Sequence, residues 1–251
     1  STLDRSSAAS DVYKRQIQGT LSTNLVNRGF TFFHRPVSIT RSTFQKSVDF
    51  SRAIFLQDAD FSDTTIRYEG FFIQAAFIAG VKFTQVKFGS HTRFHKAVFS
   101  RPSSFRKVEF PGLAEFLEVR FQQKTDFSYV HFMQGTGFSG SQFLESPDFS
   151  NSVFDRETFF RFTKFEKGAN FRAGVFRNTA DFTGAHFGGD TDFSSVAFSQ
   201  PPQFTDERLA SQFGPRSGLQ KTQNLAGLFV LAGLLLLVFY YLFQKQRANN
   251  S

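Results

Sequence analysis

The five histidines are the residues best suited to bind a transition metal, because the chain contains no cysteine. They are His34, His91, His95, His131 and His186. His91 and His95 are four residues apart, a spacing that places two zinc ligands on one face of a helix. The repeat described below favours a β-coil here, and four residues do not bring two ligands together across the corner of such a coil. We therefore interpret the two histidines as a surface pair and predict no metal site.

A second set of possible ligands recurs at one fixed interval, as Asp126, Asp148, Asn170 and Asp192. If successive coils align them, their oxygens could hold Ca²⁺. Asp and Asn side chains also accept hydrogen bonds from nearby backbone in turns. The Gly- and Asp-rich nonapeptide typical of calcium-binding solenoids is absent from the sequence. We therefore expect turn chemistry at these positions.

Catalytic motifs are absent from the sequence. It contains no nucleophile elbow, no phosphate-binding loop and no paired-carboxylate signature. Serines that follow many phenylalanines are interpreted as turn residues, and they are Ser51, Ser62, Ser128, Ser139, Ser150 and Ser194. The sequence therefore predicts no catalytic residue, no cofactor and no enzymatic activity.

The spacing of phenylalanine predicts the structural elements that position these residues. Thirty of the 39 phenylalanines lie on one lattice with alternating steps of five and six residues. The first series is Phe50, Phe61, Phe72, Phe83, Phe94, Phe105, Phe116, Phe127, Phe138, Phe149, Phe160, Phe171, Phe182, Phe193 and Phe204. The second is Phe33, Phe44, Phe55, Phe77, Phe88, Phe99, Phe110, Phe121, Phe132, Phe143, Phe154, Phe165, Phe176, Phe187 and Phe198, with Ile66 in one slot; Ile39 extends the first series backwards. Such regularity predicts one small unit stacked many times, which is a solenoid.

The solenoid is predicted to consist of β-strands. On a helix, steps of five and six would place the two series about 140° apart, so no single apolar stripe would form. Prolines at 102, 111, 147 and 201 also oppose long helices. The residue two before each lattice phenylalanine is small, being Gly, Ala, Ser, Thr, Pro or Val. In an extended segment both residues point to the same side, so each side of a coil contributes one ring and one small residue to the interior.

Four segments carry a resemblance to a known family: Ala59-Asp60-Phe61-Ser62, Thr125-Asp126-Phe127-Ser128, Ala180-Asp181-Phe182-Thr183 and Thr191-Asp192-Phe193-Ser194. They resemble the Ala-(Asp/Asn)-(Leu/Phe)-x-x unit of pentapeptide-repeat proteins, over about residues 33–204. The resemblance implies an all-β solenoid, a right-handed four-sided parallel β-helix with the Phe and Ala positions inside. The sequence departs from the family pattern by a six-residue step after every five. Two such pairs make one 22-residue coil, in which we expect columns such as Phe50, Phe72, Phe94 and Phe116.

Among the apolar residues that lie off the lattice are Phe71, Ile73, Ile78, Phe159 and Phe162. If they are exposed, they could form a patch for a partner. If they are tucked against the coil, they only pack. We expect packing, because single exposed apolar residues are common on protein surfaces.

The two ends of the chain differ from the repeat. Residues 1–16 resemble the translation of a sequencing adaptor and are left out of the fold prediction. Residues 225–243 contain no charge and, as a helix, would reach about 28 Å, close to the thickness of a bilayer core. The predicted organisation is an artefact at 1–16, a partial N-terminal cap at 17–32, the solenoid at 33–204, a linker at 205–224, a transmembrane helix at 225–243 and a short basic tail at 244–251.

Charge argues against nucleic acid as a partner. The chain has a formal charge of +8, but residues 33–204 hold 20 Lys and Arg against 17 Asp and Glu, a difference of +3. Both signs are mixed along the repeat, without a long basic run. The expected partners are the lipid bilayer, through the C-terminal helix, and a protein on one face of the solenoid.

The prediction for function is a non-enzymatic, membrane-anchored scaffold. The alternatives are an accessory module of a membrane channel or transport assembly and, ranked lower, a DNA mimic that modulates topoisomerases, since that role needs a strongly acidic surface. We expect an exported solenoid with a cytoplasmic C-terminal tail, because Lys245 and Arg247 follow the span. A cytosolic, tail-anchored protein is the alternative.

Overall fold

The computed structural model of the chain describes residues 28–213. Its strands are two or three residues long, and each pairs in parallel with the equivalent strand of the next coil, as Thr31 with Ala53 and Phe99 with Phe121. The register therefore confirms the coil length predicted from the phenylalanine spacing. The chain forms an all-β, right-handed solenoid of about eight coils.

The strands of each coil lie on four faces, which we number in chain order. The first face contains Thr31–Phe33, Ala53–Phe55, Ala76–Phe77, Val98–Phe99, Arg120–Phe121, Gln142–Phe143, Lys164–Phe165 and His186–Phe187. The second contains Val37–Ser38, Ala59–Asp60, Val81–Lys82, Ser103–Ser104 and Thr125–Asp126, and it continues as single bridges through Asp148, Asn170 and Asp192.

The third face contains Thr43–Phe44, Thr65–Ile66, Glu109–Phe110, His131–Phe132, Val153–Phe154, Val175–Phe176 and Ala197–Phe198, with a bridge through Lys87. The fourth contains Val48–Asp49, Glu69–Phe71, His91–Arg93, Leu113–Glu115, Thr136–Gly137, Thr158–Phe159, Ala180–Phe182 and Gln203–Phe204. A short helix, Glu207–Phe213, follows the last strand and buries Leu209. It lies within the segment that the sequence predicted to be a linker.

The interior is built from columns of phenylalanine rings. Lattice rings from Phe55 to Phe182 are almost completely buried. Equivalent rings of successive coils stack face to face, as Phe121 and Phe143 do with centroids 4.6 Å apart and an interplanar angle of 1°. Rings of neighbouring columns meet edge to face, as Phe116 and Phe127 do at 5.5 Å and 89°. Both arrangements suit the ring quadrupole and add about 0.5–1.5 kcal/mol per pair beyond burial. The predicted columns are confirmed.

The small inward residues include hydroxyls that satisfy the coil backbone. Ser152 Oγ donates to the carbonyl of Phe127 at 2.6 Å and accepts from the amide of Val130 at 3.1 Å. Thr163 Oγ1 donates in the same way to the carbonyl of Phe138 at 2.9 Å. A buried hydroxyl needs such partners because desolvation without them is costly.

The turns contain a feature that the sequence did not indicate. Non-glycine residues with positive φ recur along the solenoid two positions after the phenylalanines of the first series. Their φ angles lie between 49° and 59°, in the left-handed region. The bulky Phe162 occupies one of these positions, with φ 54°. Each coil therefore contains non-glycine residues in a backbone conformation that L-residues adopt uncommonly.

The off-lattice apolar residues differ in how deeply they are buried. Ile78 is fully buried, whereas Phe71, Ile73 and Phe159 are half-buried. Phe162 is 67 % exposed, so packing does not account for it.

No helix within residues 28–213 is both long enough and apolar enough to cross a membrane. The predicted transmembrane helix at 225–243 lies outside the described residues, as do the adaptor-like segment 1–16 and the basic tail 244–251.

Candidate functional site on the fourth face

The strand His91–Arg93 and the strand above it form a cluster of charged side chains. His91 Nε2 lies 2.7 Å from Glu115 Oε2, and His95 Nε2 lies 3.4 Å from the same oxygen. Arg93 Nε donates to that oxygen at 3.1 Å. The two histidines are thus brought together by a glutamate of the next coil. Within residues 28–213, no group of three His, Cys, Asp or Glu side chains is arranged to hold a metal ion.

Glu115 is held as a carboxylate by this cluster. Burial alone raises its pKa, but the hydrogen bond with His91, the charges of His95 and His91 and the hydrogen bond with Arg93 together lower the pKa of Glu115 below its usual value. The cluster therefore links two coils through a charge that persists at neutral pH. Sequence reasoning missed Glu115, although the period of the repeat places it directly above Arg93.

The column Asp126, Asp148, Asn170 and Asp192 does align along the second face, through successive bridges. Each side-chain oxygen accepts from the backbone amide two residues later, as Asp148 Oδ1 does from Ser150 at 2.8 Å. Asn170 Nδ2 also donates to Asp148 Oδ1 at 2.9 Å. Hydrogen bonds from Ser194 lower the pKa of Asp192. The column has the turn chemistry that the sequence predicted.

The second face also forms a surface groove of about 980 Å³ that runs along several coils. Its lining is mostly polar and small, and it includes Asp60, Lys82, Ser104 and Lys124. Its charged lining residues are four aspartates, Asp58, Asp60, Asp126 and Asp148, and two lysines, Lys82 and Lys124.

A smaller hollow is an apolar notch in the fourth face, with a volume of about 350 Å³. Its floor is made by Gly135 and Gly137, one coil above Leu113 and Leu117 and one coil below Phe159. Leu113 is 46 % exposed, an unusual value for leucine in a solenoid whose other large apolar residues are mostly interior. We refer to these five residues as the fourth-face notch.

The two glycines contribute to the notch because they have no side chain. Neither has a positive φ, so the backbone does not require glycine at either position. A Cβ atom at Gly137 would lie 3.0 Å from Leu117 Cδ2, and one at Gly135 would lie 3.2 Å from Leu113 Cδ2. The leucine tips therefore pack directly against the two glycines, and Gly137 is buried beneath them.

The rim of the notch is fixed by Arg161. Its guanidinium carbon lies 4.8 Å from the centroid of the Phe159 ring, and its Nε donates to Asp181 Oδ2. Asp181 is 2 % exposed. Burial raises its pKa, but hydrogen bonds from Thr183 and Arg161 outweigh burial, so the pKa of Asp181 is lowered. The arginine is therefore oriented, while half of its side chain stays accessible.

Comparisons with known proteins agree with the repeat. Residues 149–197 match the family described as pentapeptide repeats (9 copies), which confirms the resemblance found in the sequence. No curated protein matches the chain.

Three solved structures are similar to parts of the chain. Two are structures of QnrB1, a plasmid-mediated fluoroquinolone resistance protein. They are 13 % and 14 % identical, each covers 70 % of this chain and 95 % of its own, and their TM-scores are 0.31 and 0.23. The third is HetL, a pentapeptide-repeat protein involved in regulating heterocyst differentiation in the cyanobacterium Nostoc sp. strain PCC 7120. It is 12 % identical over 73 % of this chain and 95 % of its own, with a TM-score of 0.21.

Proposed function

Since the chain carries pentapeptide repeats, we propose that it is a non-enzymatic scaffold that binds a protein through the fourth-face notch and is anchored in a membrane. The observation that carries the proposal is the notch itself. On the same outward column the other described coils present a side chain, whereas Gly137 presents none. The missing side chain lowers the outer surface at this place in the column and leaves a hollow beside Leu117.

The geometry of the fourth face determines how a partner would bind. Each strand from Glu69–Phe71 to Ala180–Phe182 is paired on both sides within the sheet. A partner therefore cannot add a strand there, because no unpaired backbone groups are offered. Recognition has to come from side chains that enter the face.

The notch suits a single large apolar side chain, such as Leu, Met or Phe. Leu113, Leu117 and Phe159 would give it apolar contacts, and Glu115 and Arg161 also line the hollow. Burying such a side chain contributes about 1.5–3 kcal/mol. Arg161, which is oriented over Phe159 and half accessible, is placed to bind a carboxylate of the partner beside that side chain.

Membrane anchoring rests on the uncharged segment 225–243 and on Lys245 and Arg247 behind it. In this proposal the solenoid is exported, the tail is cytoplasmic, and the partner is a protein at the same membrane. Fractionation of cells that express the full chain tests the anchor separately. Extraction by detergent but not by alkaline carbonate is expected, and release by carbonate would contradict the anchor.

Binding is tested with variants that fill the notch. Gly137→Leu occupies the hole, and Gln203→Leu adds the same side chain to the same outward column three coils further on, at an exposed position. Full-length protein is cross-linked in detergent extracts of native-host membranes, and captured proteins are quantified by mass spectrometry.

A partner of the notch is captured by the wild type and by Gln203→Leu, and its capture falls roughly tenfold or more with Gly137→Leu, as expected for the loss of about 1.4 kcal/mol or more. Proteins captured equally by all three variants do not support the proposal. If every captured protein behaves in that way, the notch is not a binding site.

A further inference from the structure

Phe162 is the most exposed large apolar side chain within residues 28–213, at 67 %. It lies at the corner where the chain leaves the fourth face for the first face, directly after Arg161 of the notch rim. Its backbone has φ 54°, in the left-handed region, where a bulky residue is an outlier. Neither burial nor local conformational preference therefore accounts for an aromatic ring at this corner.

The same corner carries no other apolar side chain in the coils that share its conformation. The equivalent residues, which are 22 positions apart and have positive φ, are Arg52, Gln74, Lys96, Glu118, Gly140 and Gly184. Long polar side chains at such a corner extend into water. In one coil the corner presents a ring instead, with a glycine one coil below it and another one coil above it.

Gly184 gives the ring of Phe162 a defined place. A Cβ atom at Gly184 would lie 2.5 Å from Cδ1 of that ring and 2.7 Å from Cε1. A side chain at position 184 would have to displace the ring, so the ring rests on the backbone of the next coil. Its high exposure leaves the remaining surface of the ring accessible. A side chain that is already positioned loses little conformational freedom on binding, which favours recognition.

Phe162 continues the surface of the fourth-face notch. Arg161 lines the notch, and its guanidinium lies over the ring of Phe159. Ser139 also lines it, and the next residue, Gly140, is the corner residue one coil below Phe162. Gly140 has no side chain that would separate the ring from the notch. The two apolar areas therefore form one surface that runs diagonally from the face to the corner, with Arg161 between them.

We propose that Phe162 binds a second apolar side chain of the protein segment that enters the notch, and that this segment is an amphipathic helix. The inference rests on the proposed function of the notch. Gly137 and the ring of Phe162 are three residues apart along the strand and one to two coils apart along the solenoid axis, which corresponds to roughly 11–14 Å. Residues i and i+7 or i+8 of a helix lie on one face, about 10.5–12 Å apart.

A helix fits this surface better than an extended segment does. The strands of the fourth face are already paired on both sides, so an extended segment would cover apolar surface while its own backbone groups found no partners. A helix satisfies its backbone groups internally and presents only side chains.

Arg161 determines the charge of the helix between its two apolar residues. On the same helical face, residues i+3 and i+4 lie between i and i+7. An aspartate or glutamate there meets the guanidinium of Arg161, whose side chain is 51 % exposed. The partner is therefore a helix with an apolar residue at i, an acidic residue at i+3 or i+4 and a second apolar residue at i+7 or i+8.

The contribution of the ring is tested by the same capture of proteins from native-host membranes. Among proteins whose capture falls with Gly137→Leu, capture should also fall roughly fivefold or more with Phe162→Ala and should be retained with Phe162→Tyr. Tyr129→Ala is the matched control, because Tyr129 is 49 % exposed and has φ 59° at the corner between the second and third faces. It should leave capture unchanged.

The outcomes separate this inference from the proposed function. Capture that falls with Gly137→Leu but not with Phe162→Ala would overturn the inference and leave the notch as a binding site. An equal fall with Tyr129→Ala would also overturn it. If Gly137→Leu lowers the capture of no protein, the proposed function fails and the inference fails with it. A circular dichroism melt of each variant shows that the solenoid is still folded.

The chemistry of the partner is tested by photocross-linking. Phe162→p-benzoylphenylalanine in the full chain places a photoreactive ketone on the ring, and mass spectrometry locates the cross-link in the captured protein. The cross-link is expected at the second apolar residue of a segment with the pattern given above. A synthetic peptide of that segment should bind Arg161→Glu roughly fivefold or more weakly than the wild type, and replacing its acidic residue by lysine should restore binding to Arg161→Glu. A cross-linked segment without the pattern, a cross-link to a second copy of the chain, or binding that is not restored would overturn the inference.

Discussion

The inner and outer sides of the fourth face are made by consecutive residues and obey different rules. Inside, Phe72, Phe94, Phe116, Phe138 and Phe160 repeat one ring in every coil. Outside, the neighbouring positions of the same strands are Phe71, Arg93, Glu115, Gly137 and Phe159. The interior tolerates little variation because each ring must stack on the rings above and below. The exterior can change from coil to coil without disturbing the stack. In each strand, the residue that stabilises the solenoid is therefore next to one that is free to vary and to contact a partner.

The largest effect is expected from removing an interior ring. Phe116→Ala should lower the free energy of unfolding by about 3–5 kcal/mol, because the cavity interrupts a column as well as losing burial. Phe162→Ala, at an exposed position, should change it by no more than about 0.5 kcal/mol. Urea denaturation followed by circular dichroism measures both. Similar losses of unfolding free energy in the two variants would contradict the idea that interior positions carry more of the stability than exterior ones.

An intermediate effect is expected from the inward hydroxyls. Ser152→Ala leaves the Val130 amide and the Phe127 carbonyl without their side-chain partner, at a cost of about 1–3 kcal/mol. Ser139→Ala, at a half-exposed position, is the matched control and should cost less than about 0.5 kcal/mol. The same denaturation series measures the difference. Equal stability of the two variants would mean that the buried hydroxyl is replaceable by packing alone.

A smaller, pH-dependent effect is expected at Asp181, which supports the rim of the notch from a buried position. Its pKa is lowered in the folded protein from the usual 3.8, so its contribution to stability is present above that value and is lost as pH falls through the folded pKa. Asp181→Asn should therefore be less stable than the wild type at neutral pH, and the gap should narrow in acid below pH 3.8. Melting temperatures across that range test the sign.

The control for Asp181 is Glu157→Gln, an exposed carboxylate on the same face. Its melting temperature should follow that of the wild type at every pH. If the difference in melting temperature between the wild type and Asp181→Asn stays constant into acid, the charge of the Asp181 carboxylate is not the cause of that difference.

No effect is expected from calcium. Each aspartate in the acidic column of the second face uses one carboxylate oxygen to accept from a backbone amide, so millimolar Ca²⁺ or a chelator should leave the melting temperature unchanged. A melting temperature that rises with Ca²⁺ in the wild type but not in Asp148→Asn would show that this column binds calcium.

Much of the interior could be predicted from the sequence, and little of the outer site. The interior positions repeat because every ring meets the same neighbours, so equivalent positions of successive coils are alike and the period can be counted. His91, Glu115 and Arg161 do not repeat, and their contacts cross between coils. The period could have aligned Gly137 with Glu115 and Phe159, but it could not have shown that Leu117 packs against Gly137.

By itself, the spacing of phenylalanine predicted the length of each coil and the inward direction of its rings, because rings that recur once per coil can stack in columns away from water. The tertiary structure alone decided which outward side chains meet. It placed two histidines on one carboxylate, opened an apolar notch over two glycines and left the ring of Phe162 exposed on Gly184. Contacts of this kind depend on how far each side chain reaches and on what covers it. No repeat constrains either property, so the one-dimensional pattern does not contain them.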